Sequence, residues 1–189
     1  MADLKLFMLL LGCRIKGRHM EQHDIFFAIG ESIKDIIPDI NSFWPEAKGR
    51  LHIDAWRDVT KVDNYQISVT AKGSINELTT QNLQKLFFLN LGGYKKNEFE
   101  EYHYKMLAVS NSIADASKQA RQTTFYKHTG FDSAPSHIDD KYGIDVDEVY
   151  EVKDILPTGI NERYSIKITL SELDKEDEIH LGYFKLDSF

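Results

Sequence analysis

The stretch Lys5–Asp35 recurs 80 positions later, at Lys85–Asp115, with no insertion between the two copies. Thirteen of the 31 aligned pairs are identical, where ordinary residue usage gives roughly two by chance. The identities are Lys5/Lys85, Leu6/Leu86, Phe7/Phe87, Leu9/Leu89, Leu11/Leu91, Gly12/Gly92 and Lys16/Lys96, then Glu21/Glu101, His23/His103, Ala28/Ala108, Ser32/Ser112, Ile33/Ile113 and Asp35/Asp115. Two copies are too few for a solenoid, so the recurrence predicts a pseudo-symmetric pair of related halves.

Local patterns give each half its elements. Leu4–Leu11 and Leu86–Leu91 are short apolar runs ended by glycine, as expected for covered strands. Ile25, Ile29 and Ile33 then repeat every four residues with Phe26 and Ile36 beside them. That spacing predicts an amphipathic helix ending before Pro38. Met106, Val109 and Ile113 continue the same stripe in the second copy, and Ala114, Ala116 and Ala120 favour a helix reaching Gln122. Leu51–Val59 and Tyr65–Thr70 alternate around an Asp63-Asn64 turn, the pattern of a hairpin. Val146–Leu156 and Tyr164–Leu170 look equivalent, with extra residues before them, and Ile179–Leu186 reads as a final strand.

The expected fold is therefore α/β (α+β): two strand–helix–strand–strand repeats forming a mixed sheet or two adjoining sheets with helices on a face. The repeats are placed at 1–75 and 76–189, the second with an insertion at about 123–145. The joint between Gly73 and Gln84 lacks linker composition, so tightly packed halves are expected.

Charge and cysteine usage restrict the setting. The 189-residue chain carries a formal net charge of −7, which argues against nucleic acid as a partner. The single cysteine, Cys13, permits no internal disulfide and suits a reducing cytoplasm. The apolar run Leu6–Leu11 is far too short to span a bilayer and lacks the features of a secretory signal. A cytoplasmic protein without membrane contact is the expectation.

Several strings resemble a known family. Lys5-Leu6-Phe7-Met8, Gly17-Arg18, Glu21-Gln22-His23-Asp24-Ile25-Phe26-Phe27 and His52-Ile53-Asp54-Ala55-Trp56-Arg57 are similar to a bacterial family catalogued as domain of unknown function 1543. Asn90-Leu91-Gly92-Gly93-Tyr94 and His137-Ile138-Asp139-Asp140-Lys141-Tyr142 resemble it as well. The resemblance implies a bacterial protein and carries no activity, substrate, cofactor or catalytic residue.

Chemistry has three candidate locations. The loop Gly12–His19 offers Arg14, Lys16 and Arg18 beside free backbone N–H groups, a pattern suited to an anion. It superficially echoes a phosphate loop, but Arg18 and His19 stand where lysine and a hydroxyl are required. The repeated Glu-x-His, Glu21/His23 and Glu101/His103, forms no local two-point ligand if helical, because residues two apart on a helix face different ways. It reads first as structural, and secondarily as a ligand or metal site shared between the halves. His52-Ile53-Asp54 and His137-Ile138-Asp139 would each present a His and an Asp on one face of a strand. Cys13 sits beside basic residues that can lower a thiol pKa. Neither a Gly-x-Ser-x-Gly elbow nor an HExxH motif occurs, and the sequence leaves any cofactor unknown.

The leading expectation is a noncatalytic binding or regulatory protein for a small anionic ligand or a protein partner. The alternative is a metal-assisted hydrolase drawing on His52, Asp54, His137 and Asp139. A homodimer paired through an exposed sheet edge is a third reading.

Overall fold

The computed structural model describes residues 3–73, 83–94, 97–122, 145–171 and 175–189. Among them lie ten strands in three antiparallel sheets, together with three helices. The chain divides into two compact units, one of Met1–Gln81 with Ile155–Phe189 and one of Asn82–Asp154. Residues 155–189 thus group with the first unit, where a division at 75/76 assigns them to the second.

In the first unit, β1 (Lys5–Cys13) lies between β2 (Gln22–Gly30) and β3 (His52–Asp58), and β10 (His180–Lys185) closes the edge beside β3. Helix α1 (Ile33–Phe43) follows β2 directly. Its start is fixed by Ser32, whose backbone N–H and hydroxyl both donate to Asp35 Oδ2 at 2.8 Å, an N-terminal capping arrangement. Ile33, Ile36 and Ile40 form its buried stripe. They pack with Phe7, Leu9, Leu11, Phe26, Ala28 and Ile53 of the sheet. Alternation explains the selection: the odd-numbered residues of β1 point toward α1 and the even-numbered ones point away.

A second sheet of this unit comprises β4 (Lys61–Val62), β5 (Tyr65–Ala71) and β9 (Tyr164–Leu170). The Asp63-Asn64 turn joins β4 to β5, while β3 pairs with β1 and β10 instead of with β5. The similar strings of β5 and β9 lie side by side, Tyr65 opposite Leu170 and Ala71 opposite Tyr164. The short helix α3 (Ile160–Arg163) leads into β9.

The second unit contains β6 (Lys85–Tyr94), flanked by β7 (Glu101–Ser110) and β8 (Asp145–Glu151), with α2 (Ile113–Gln122) after β7. Its core combines Phe87, Leu89, Leu91, Ala108, Ala116 and Ala120. Pairing registers recur with the sequence offset of 80: Lys5 opposes Gly30 and Lys85 opposes Ser110. The bulge between Leu10 and Leu11 recurs between Asn90 and Leu91.

The α/β class is as expected, but each unit begins strand–strand–helix–strand, and no mixed sheet forms among the described residues. The segment around Ile25 and Ile29 is the second strand, and the one around Met106 and Val109 is its counterpart. Residues four apart share a face in a strand as well as in a helix, so the isoleucine spacing did not discriminate. Short loops between adjacent strands then give antiparallel neighbours, with no crossover helix needed. Helix α1 also continues through Pro38 to Phe43; its buried isoleucines extend beyond the proline on the same stripe.

A carboxylate secures the entry to β4. Asp177 accepts hydrogen bonds from the Thr60 N–H at 3.0 Å, the Thr60 hydroxyl at 2.5 Å and the Lys61 N–H at 3.3 Å. Asp177→Ala is expected to lower stability by about 0.5–1.5 kcal/mol, since it removes these hydrogen bonds from donors that water can then reach. A urea titration monitored by Trp44 and Trp56 fluorescence checks this, and an unchanged midpoint would contradict it.

Candidate functional site

Three strands of the first unit bring a row of residues together at one point. Gly12 of β1 is the register partner of His23 on β2 and of His52 on β3. Residues directly opposite one another point to the same side of a sheet, so the two histidines flank a residue without a side chain. An alanine Cβ at Gly12 would stand 2.4 Å from His52 Nε2 and 2.5 Å from Asp54 Oδ2. The glycine is thus the space into which the neighbouring side chains reach.

Asp54 enters the group through an irregularity of the backbone. Leu10 opposes Ala55 and Leu11 opposes Ile53, which leaves Asp54 as the extra residue of a bulge. Bulges re-aim side chains in this way. Glu21, immediately before β2, completes a ring of two imidazoles and two carboxylates.

His52 Nε2 is 3.3 Å from both Glu21 Oε1 and Asp54 Oδ1. His23 Nε2 is 3.1 Å from Asp54 Oδ2 and 4.0 Å from Glu21 Oε2. Despite this proximity, His52 Nε2 and Asp54 Oδ2 are buried and make no hydrogen bond. The His52 side chain is only 5% exposed, whereas those of Glu21 and His23 are 41% and 43% exposed. Leaving a buried polar atom unpaired costs about 1–3 kcal/mol. The Tyr183 ring lies against the His52 ring with centroids 4.2 Å apart, and Trp56 stacks on His180 at 3.9 Å. The Tyr183 contact restricts the imidazole to its position.

Glu21 and His52 also line an open cavity of about 1070 Å³. Its wall carries Arg14, Lys16, Arg18, Lys34, Arg50 and Lys185, with Asp187 as a further acid. Six cations against two carboxylates is a local inversion of the chain's net charge of −7. Apolar lining comes from Ile15, Ile37, Leu51, Leu186 and Phe189.

Comparison with known proteins reaches the same stretch of chain. Residues 18–69 match the family model described as Domain of Unknown Function (DUF1543). The match covers less than half of the 189-residue chain, and over that stretch the chain is similar to the DUF1543 family. The matched stretch contains Glu21, His23, Arg50, His52 and Asp54. Comparison with curated proteins gives no match. Among solved structures, the crystal structure of a protein Il1583 from Idiomarina loihiensis is similar with a TM-score of 0.56 at 21% identity, covering 97% of this chain and 98% of that one. At that identity the likeness concerns the fold.

Several residues singled out from sequence come together in and around the DUF1543 match. Glu21, His23, His52 and Asp54 form the ring, and Arg14, Lys16, Arg18 and Glu21 line the cavity. The expectation that Glu21 and His23 face apart is corrected, because they sit on extended backbone, where residues two apart share a side. Glu101 and His103 belong to the second unit, with His103 opposite Gly92 as His23 is opposite Gly12. His137 and Asp139 lie outside the described residues. The insertion at 123–145 does so as well, apart from Asp145, the first residue of β8. Cys13 is fully buried, and burial raises its thiol pKa, outweighing Arg50, which acts the other way. It is no activated thiol.

Sequence reasoning named Gly12 only as a repeated glycine bounding the loop, and missed Lys34, Arg50, Tyr183 and Lys185. The role of Gly12 had a signal in its identity with Gly92. The others are surface-type residues whose meeting depends on how α1, β3 and β10 converge.

Proposed function

We propose that this chain is a binding protein for a small polyanion, a phosphorylated or polycarboxylate ligand held in the cavity of the first unit. The observation that carries the reading is the concentration of six cations around one concave, partly apolar space in an acidic chain. Concavity with an apolar floor and a few convergent polar groups is the usual form of a ligand site. Guanidinium groups such as those of Arg14, Arg18 and Arg50 are suited to bidentate recognition of phosphate or carboxylate.

Thermal unfolding in the presence of inorganic pyrophosphate or citrate, at fixed ionic strength set with chloride, tests the reading. Ligand at 100 times its Kd stabilises a native protein by about 2.7 kcal/mol, which corresponds to a rise of several degrees in Tm. Reversing Arg14, Lys16 and Arg50 together to glutamate is expected to abolish the rise. Absence of any shift with either anion, or an equal shift in the triple variant, would refute the reading.

A further inference from the structure

We propose that the ring of Glu21, His23, His52 and Asp54 is a site for one divalent transition-metal ion, positioned at the edge of the cation-lined cavity. The inference stands apart from the anion reading, since it rests on the ring's own geometry.

The first ground is donor spacing. Two donors bound to one ion at about 2.0–2.2 Å can stand no more than about 4.4 Å apart. The four contacts around the ring measure 3.1, 3.3, 3.3 and 4.0 Å, so every neighbouring pair is close enough to share an ion. The second ground is the failure of these contacts as hydrogen bonds. His52 Nε2 points at two carboxylate oxygens at 3.3 Å and still has no hydrogen-bond partner, and Asp54 Oδ2 has none either. Two buried polar atoms in one cluster that both lack a hydrogen bond are satisfied together by a cation bound among them. The third ground is the missing side chain at Gly12, which lets His52 Nε2 and Asp54 Oδ2 converge over one point of the backbone.

As the side chains stand, no three His, Cys, Asp or Glu residues among those described are arranged to hold an ion. The adjustment required falls on Glu21 and His23, the two exposed members, while His52 is fixed by Tyr183 and by burial. Two imidazoles with two carboxylates are a donor set for zinc, iron or manganese more than for calcium, which takes oxygen ligands alone. Two donor positions, Glu21 and His52, face the cavity.

Chelator-treated full-length protein, titrated with zinc alone in chloride buffer, tests the site by calorimetry, with the visible absorption of cobalt as a second probe. One zinc per chain is expected. Glu21→Gln and His23→Gln, both at exposed positions, should each weaken binding by about tenfold or more, and His103→Gln should leave it unchanged. Asp54→Asn, checked for folding by circular dichroism, should lose the cobalt spectrum. No stoichiometric binding would overturn the proposal, and so would wild-type affinity in both the Glu21 and His23 variants, or loss of binding in the His103 variant. Because neither pyrophosphate nor citrate is present, a failure here leaves the result with those anions independent.

Discussion

Phe7→Ala is expected to destabilise the first unit by about 3–5 kcal/mol, and Phe87→Ala the second by a similar amount. Both rings are almost wholly buried, at 3% and 1% exposure. They occupy the same register position, Phe7 opposite Ala28 and Phe87 opposite Ala108. The reason for a large effect is the small partner. Each phenylalanine fills volume that the facing alanine leaves vacant, so truncation leaves a cavity that no neighbour on that strand can fill. Phe7 also meets Trp56 edge to face, with centroids 6.3 Å apart at 64°, an attraction that disappears with the ring. Urea denaturation followed by tryptophan emission reads the Phe7 variant, since Trp44 and Trp56 both lie in the first unit. Hydrogen exchange along β6 reads the Phe87 variant. A loss below about 1 kcal/mol in either would mean that these rings do not organise their cores.

The same pair shows what the letters disclosed about the fold. Recurrent buried positions placed Phe7 and Phe87 in corresponding strands because a covered strand cannot change its apolar side chains without losing its packing. The helix was harder to place. Ile25 and Ile29 satisfy a strand and a helix alike, and Ile33 continues the series across the Ser32 cap into α1. The discriminating signal was Ser32 with Asp35, repeated as Ser112 with Asp115, which marks a helix start later than the apolar pattern does. In the second copy the Ser112 hydroxyl donates to Asp115 Oδ2 at 2.7 Å and accepts from the Asp115 N–H at 3.1 Å. The grouping of β9 and β10 with the first unit had no local signature at all. Strand partners as distant in sequence as Gln66 and Thr169, or Thr70 and Ser165, are chosen by tertiary packing.

The candidate site was legible in its parts but not in its assembly. Glu21 with His23, and His52 with Asp54, stood out as two short motifs of chemically capable residues. What joins them is a register in which both histidines flank Gly12, and register is set by the whole β1–β2–β3 pairing. The bulge that turns Asp54 into the group has no sequence marker. Lys34, Arg50 and Lys185 are ordinary surface cations until α1, the approach to β3 and the end of β10 meet around one cavity.

Gly12→Ala is expected to cost about 1–3 kcal/mol, more than its single methyl group suggests. The added carbon would lie 2.4 Å from His52 Nε2 and 2.5 Å from Asp54 Oδ2, with His52 Cε1 at 2.9 Å. The imidazole cannot swing clear without cost, because it is buried and held against Tyr183. Relief should come from removing the obstructing ring. His52→Ala alone loses a packed side chain, but in the Gly12→Ala background the same change also removes the clash. The double variant should therefore be more stable than the sum of the single losses by at least about 0.5 kcal/mol, the mark of residues in direct contact. Chemical denaturation of the four proteins in the cycle measures that coupling. Strict additivity would show that the side chains do not converge above Gly12, and would remove the geometric basis of the ring.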